Sequence, residues 1–187
     1  MTLRTLLARP GVQITDIVDH LKSLGPAERV REATDIGRRQ QSLLWKLADK
    51  GAPLTPEDFV PADAAPLAPF PFEGQNSLPL FRTFRKVFYR QADGSIGGYN
   101  DSSVGPIVGP GYYILRFDDT GCYVDYTSLP TTAPAGWPAI VTNERGVSQL
   151  VYGFMKDYLR RVHDKVVIGR AYKRGRETPN YFMLARG

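Results

Sequence analysis

Apolar positions along this chain recur first at a helical and then at a strand-like spacing, with a proline-rich stretch between the two regimes. Val12, Ile14, Ile17, Val18 and Leu21 form an apolar stripe, with Thr15 and Asp16 early and Gly25 as a stop, which predicts a helix. Pro26 sits where a first-turn proline is tolerated. Val30, Ala33, Ile36, Gln40, Leu43, Leu44 and Leu47 then keep the spacing of one second helix as far as Gly51, with Trp45 widening its apolar end. Between residues 52 and 79, Pro53, Pro56, Pro61, Pro66, Pro69, Pro71 and Pro79 exclude a helix interior or a central strand and predict an irregular connector. Its Leu, Phe and Val content makes it a segment that drapes over the next domain and buries Phe59, Phe70 and Phe72, unlike a flexible linker.

Strand patterns take over from residue 80. Residues 80–91 are rich in aromatic and β-branched side chains, Ala92-Asp93-Gly94-Ser95 reads as a turn, and residues 96–99 pair back as a short strand. A glycine- and proline-rich loop at 105–111 leads into a hairpin of residues 112–117 and 122–127 across Asp118-Asp119-Thr120-Gly121. After a second proline-rich excursion at 128–142, Thr142 or Asn143 is placed to cap a helix at about 144–161, with Val147, Leu150, Val151, Phe154, Tyr158 and Leu159 on one side. Residues 165–173 and 181–186 pair across Arg174-Gly175-Arg176, so the chain closes on a helix running into a hairpin. The reading is an α+β fold: N-terminal helices followed by a curved antiparallel sheet or partial β-barrel with one packed helix. The corresponding regions are helical 1–51, connector 52–79 and a β-rich domain 80–187.

Composition narrows the chemistry. A chain of 187 residues buries a sizeable core without disulfides, and the single Cys122 with two histidines excludes a four-ligand Cys/His zinc site. Pro10, Gly11 and Asp16 interrupt any signal-peptide core, no run reaches transmembrane length, and a reducing cytoplasm is the expected compartment. The net charge of +5 is uneven: residues 1–75 hold nine basic and ten acidic side chains, residues 76–187 fifteen and nine. Arg82, Arg85, Lys86 and Arg90 lie on the first strand; Arg160, Arg161, Lys165, Arg170, Lys173, Arg174 and Arg176 cluster near the end, with tyrosines interleaved. Acidic neighbours dilute this cluster and no nucleic-acid-binding signature accompanies it, so it reads as a solvated face.

No catalytic signature stands out. Asp119-Thr120-Gly121 matches the tripeptide of aspartic proteases, but a hairpin turn calls for the same residues and no second aspartate of that kind is present. The 105–111 loop has neither GxGxxG order nor a following helix to hold phosphate. His163-Asp164 reads as a helix cap, Ser148 lies outside any GxSxG elbow, and Cys122 falls mid-strand. Asn100-Asp101-Ser102 satisfies the glycosylation triplet, which is idle without secretion. An enzyme would have to use His163, Asp164 and nearby arginines; the reading is non-enzymatic, with no cofactor and no metal expected.

The ending carries a family resemblance. Tyr158-Leu159, then Val167-Ile168-Gly169-Arg170, a polar turn, and Tyr181-Phe182-Met183-Leu184 resemble the closing strands of plastid lipid-associated (fibrillin) proteins, which read roughly YLD…LRIGRG…LFVL. It covers about thirty residues, without an acid directly after the Tyr-Leu pair, and implies a lipocalin-like β-barrel holding a lipophilic molecule. Apart from it, the strands offer an apolar face that includes Phe84, Phe88, Tyr113, Leu115, Val124, Val166, Ile168, Phe182 and Leu184. Together with Arg170 this makes Phe84, Phe88, Tyr113, Leu115, Val124, Ile168, Arg170 and Phe182 the candidate ligand-binding set, for a small apolar or amphipathic ligand. The alternative is a protein-interaction module that docks a partner chain through its helical and proline-rich segments.

Overall fold

The computed structural model describes residues 1–78, 82–101 and 108–187. Eight strands, β1 (Phe70–Asn76), β2 (Thr83–Arg90), β3 (Ile96–Asp101), β4 (Tyr113–Asp118), β5 (Gly121–Asp125), β6 (Met155–His163), β7 (Val166–Lys173) and β8 (Arg176–Ala185), follow one another in space as in sequence. Each pairs antiparallel with the next, and β8 returns to β1 through Glu73↔Ala185 to Asn76↔Phe182, so the barrel is closed where a partial one was expected. Closure removes the exposed sheet edges that would otherwise invite pairing with other chains. The beginning of the strand expected at 80–91, residues 105–107 of the glycine-rich loop, Pro79 and Ser102 lie outside the described residues.

Two of the eight strands lie where other structure was expected, and both have a local cause. β1 occupies the proline-rich connector; its Pro71 falls in the part that pairs with β2 alone, because the β8 ladder begins only at Glu73. A proline is tolerated where one flank of the strand carries no ladder. The helix expected at about 144–161 is α-helical only over Gly146–Val151; Phe154 takes a left-handed backbone (φ 57°), and Met155–His163 continues as β6. His163 therefore caps no helix and sits at the β6–β7 turn, and the ending is a three-strand meander in place of a helix with a hairpin.

The N-terminal segment forms α1 (Leu3–Leu6), α2 (Ile14–Ser23), α3 (Pro26–Ala33) and α4 (Arg38–Leu47), with α5 at Gly146–Val151. The single helix expected from Pro26 to Gly51 is two: the Thr34 hydroxyl turns back to donate to the Val30 carbonyl (2.8 Å), and Gly37 is extended as the cap of α4. The apolar stripe of these helices packs on the outer face of β6–β8, where Ile17, Leu21, Ile36 and Leu44 meet Val162, Val166, Ile168 and Met183. Gln41 pins α4 to the barrel by donating to the carbonyls of Ile36 and Gln75 (3.1 Å each). On the other flank, residues 128–142 strap the outer faces of β2–β4: Trp137 meets the rings of Tyr89 and Tyr99, and the Tyr89 and Tyr112 hydroxyls donate to the carbonyls of Thr132 and Pro138. No helix among the described residues is long and apolar enough to cross a membrane.

Inside the helical layer Glu32 is buried, accepting from the Leu3 amide (2.7 Å) and bonded to His20 Nε2 (2.7 Å). Burial works to raise this carboxyl, but its bonds to His20 and Leu3 outweigh that and hold it below the ordinary value of 4.5. A carboxyl depressed in the folded state contributes stability above its unfolded value and loses it as the pH falls through the folded one. Glu32→Gln is expected to cost about 1–2 kcal/mol near neutral pH and to flatten the loss of stability on acidification, read by urea unfolding at a series of pH values.

Candidate functional site

Alternation along the strands sends one set of side chains inward, and these fill the two ends of the barrel differently. At one end Phe72, Phe88, Ile96, Leu115, Val124, Leu159, Val167 and Leu184 form a dry core, closed from below by the connector through Leu54, Phe59 and Val60. Phe59 is fully buried against the rings of Phe72 and Phe88, and Arg90 and Arg186 hold the segment by donating to the carbonyls of Val60 and Phe59. At the other end the same interior opens into a cavity of about 470 Å³. Its wall is largely apolar, formed by Phe84, Val108, Val151, Met155, Ala171 and Phe182, with Asn76, Thr83 and Asn180 also lining it. Leu150 of α5, 75% exposed, stands at the end of the helix that supplies Val151 and Tyr152 to the cavity.

Glycines make room for the aromatic walls. The Phe182 ring lies over Gly169 on the facing strand, where an added Cβ would stand 2.1 Å from it, and Phe84 lies over Gly74 in the same way at 2.5 Å. The two rings then meet edge to face with centroids 5.9 Å apart. A chain of rings, Phe88, Tyr113, Tyr126 and Tyr152, continues from the core to the cavity, the last two stacked at 5.1 Å.

Between the core and the cavity lies a buried polar layer. The Lys86 ammonium, on a residue 1% exposed, donates to Asn100 Oδ1 (2.9 Å) and to the Tyr126 hydroxyl, and stands 3.4 Å from Asp157 Oδ2. Tyr126 donates to Asp157 Oδ2 (3.2 Å), and Asn100 Nδ2 donates to Tyr126 (3.0 Å) and to the Gly111 carbonyl (3.3 Å). Four rings surround the ammonium: Tyr113 at 4.8 Å, Tyr126 at 4.9 Å, Phe182 at 5.5 Å and Phe84 at 5.8 Å. Such contacts stabilise a desolvated cation by about 2 kcal/mol or more, which partly offsets the cost of taking it out of water.

Burial dominates the protonation of this layer. It pushes Lys86 below the usual lysine range against the pull of Asp157, and pushes Asp157 up against the pull of Lys86. Both shifts narrow the margin by which the ion pair is preferred over its neutral form. Burial, reinforced by the Asp157 charge, also holds the phenols of Tyr113 and Tyr126 far above their ordinary value, and Tyr152, a hydrogen-bond partner of Asn100, is pushed up to about 12. These hydroxyls are therefore neutral hydrogen-bonding groups.

The candidate set divides across this arrangement. Phe84 and Phe182 line the cavity; Phe88, Tyr113, Leu115 and Val124 point inward in the packed layers beneath it. Ile168 and Arg170 stand on the outer face of β7, as does Val166 at its start: Ile168 and Val166 lie beneath the helices, and Arg170 pairs with Glu177 (2.7 Å). One strand cannot send both Val167 and Ile168 inward, because the side-chain period is two. Lys86, expected on a solvated basic face, points the other way, and Asp157, Asn100, Tyr126 and Tyr152 lie outside the set expected from sequence. The signal was parity: Lys86 shares the inward register of Phe84 and Phe88, and Asp157 that of Met155 and Leu159.

Three other residues noted in the sequence are tied into local structure. Asp118 accepts from the amide (2.8 Å) and hydroxyl (2.5 Å) of Thr120, so the Asp-Thr-Gly tripeptide forms a turn. Ser148 donates to the Val108 carbonyl, and burial pushes the Cys122 thiol up, away from a reactive thiolate. Several basic side chains are paired within the chain: Arg85 with Asp101, Arg160 with Asp49 (2.6 Å) and Arg161 with Asp58. Asp49, Arg160 and Arg161 line a larger outer cleft of about 650 Å³ between the end of α4 and β4–β6. Of the helical segments expected to dock a partner, the apolar end of α4 packs on the barrel: Leu44 is fully buried and Trp45 lies under the Arg160 guanidinium at 3.9 Å. No protein-family model matches the chain, and no curated protein and no solved structure matches it either.

Proposed function

We propose that the protein binds a small lipid-like ligand inside the barrel. Its apolar body would lie against Phe84, Phe182, Met155 and Val108, and its polar end would reach the Lys86–Asn100–Tyr126–Asp157 layer. The observation that carries this reading is the coincidence of an apolar cavity with a polar floor at one end of a barrel whose other end is solidly packed. A cavity of about 470 Å³ is within the range that encloses a small ligand, and few convergent polar groups in a mostly apolar wall are what orient one. The opposite charges of Lys86 and Asp157 already balance, so the floor suits an uncharged head such as a hydroxyl or carbonyl; an unpaired carboxylate would add a buried charge without a counterion. The resemblance of the closing strands to plastid lipid-associated proteins adds to this reading.

The test is displacement of the neutral solvatochromic dye Nile red by decanol. Decanol is expected to displace the dye from the wild-type protein. Ala171→Phe, which places a ring in the cavity, is expected to weaken binding of both by about tenfold or more while the barrel stays folded. Unchanged affinity in a folded Ala171→Phe protein would put the ligand elsewhere.

A further inference from the structure

We propose that Lys86 captures carbonyl ligands covalently, forming a reversible imine at the floor of the barrel cavity. The inference deepens the ligand-binding reading above and rests on it. Its starting point is that, of the seven lysines in the chain, Lys86 is the one the fold carries into a ligand-sized apolar space. A lysine that serves only for solubility or surface pairing has no reason to be there, since an unpaired buried ammonium is among the costliest groups a core can hold.

The groups that imine chemistry needs stand around that nitrogen. Asp157 Oδ2, 3.4 Å away, is a base for the ammonium proton and a counterion for the product, and Tyr126 bridges the two as a hydroxyl relay. The rings of Tyr113, Tyr126, Phe84 and Phe182 around the nitrogen stabilise a cation there whether it is an ammonium or an iminium. Burial eases loss of the ammonium proton, which frees the nucleophilic amine, and desolvation in an apolar pocket is a recognised way to activate a lysine toward carbonyls.

The step balances without any further reactant. The ammonium of Lys86 passes one proton to the Asp157 carboxylate. The amine lone pair attacks the carbonyl carbon of an aldehyde in the cavity; the C–N bond forms, the C=O π pair moves to oxygen, and that oxygen takes the proton back from Asp157. A second N–H proton then reaches the carbinolamine hydroxyl through the same carboxylate. The C–O bond breaks with its electron pair leaving on water, and the nitrogen lone pair closes the C=N bond. The product is a protonated imine beside the Asp157 carboxylate, with one water released and the pair's net charge unchanged. Hydrolysis runs the same steps in reverse, which makes the capture reversible.

The experiment is reductive trapping of the full-length protein with decanal and sodium cyanoborohydride at neutral pH, followed by intact mass and peptide mapping. A single decyl group on Lys86 is expected, added more than about tenfold faster than to any exposed lysine, since an exposed lysine is almost wholly ammonium at that pH. Excess decanol should slow the labelling by competing for the cavity, Asp157→Asn should slow it by removing the proton acceptor, and Lys86→Met should leave only the slow surface background. The wild-type peptide map decides the matter even if a variant fails to fold. Label spread over exposed lysines with Lys86 untouched, while decanol still displaces Nile red, overturns the imine and leaves the cavity reading standing. Failure of both labelling and dye displacement removes the two together.

Discussion

Asp157→Ala is expected to cost about 3–5 kcal/mol of folding stability, because it leaves the Lys86 ammonium buried without its counterion. The neutral hydrogen bonds to Asn100 and Tyr126 remain, but they do not cancel a charge held away from water. Replacing the pair together, Lys86→Met with Asp157→Leu, is expected to recover most of that loss, since an apolar pair of similar volume avoids the desolvation of two ions. The double-mutant cycle then separates the pair's coupling from the cost of burying each partner. Denaturant midpoints at constant slope are the measurement. An Asp157→Ala loss below about 1 kcal/mol would mean that Lys86 is already a neutral amine in the folded protein or finds water from the cavity. The same double variant should be silent in reductive trapping, so stability and chemistry are read on one set of proteins.

This layer also marks where reading the chain from sequence fell short. Periodicity located the α2 stripe, the turn at Ala92–Ser95 and the β4–β5 hairpin, because there the local pattern and the fold agree. β6 reads as helix in the sequence for a physical reason. Its inward residues are Met155, Asp157 and Leu159, and a buried acid in the middle destroys the apolar alternation by which a half-buried strand is recognised. The outward residues Tyr158 and Val162 are buried under the helices or partly so, leaving no clean polar face either. β7 misled in the opposite direction: Val166, Val167 and Ile168 are all buried, one face by the barrel interior and the other by the helical layer, so apolarity alone does not tell inside from outside. Lys86 could have been placed by its parity with Phe84 and Phe88, but only once the strand was known to face a closed interior. The polar residues that interrupt a pattern are the ones a site is built from, and so the site was the least legible part of the chain.

Gly169→Ala should show how tightly the cavity wall is fitted. The Phe182 ring rests on the bare backbone of Gly169, and an added Cβ would lie 2.1 Å from it, so the ring must move. Sideways escape is restricted: Phe84 abuts it edge to face at 5.9 Å and is itself seated on Gly74. The open direction is the cavity, into which the ring would swing, narrowing the space and altering its place beside the Lys86 ammonium at 5.5 Å. Overpacking of this kind costs about 1–3 kcal/mol. The variant is therefore expected to lose stability by that amount and to bind Nile red more weakly, a combination that Ala171→Phe, filling empty space without displacing a ring, should not reproduce on the stability side. Lost stability with unchanged dye affinity would show that Phe182 leaves the cavity wall by another route, and no change in either would mean that its ring does not sit on this glycine.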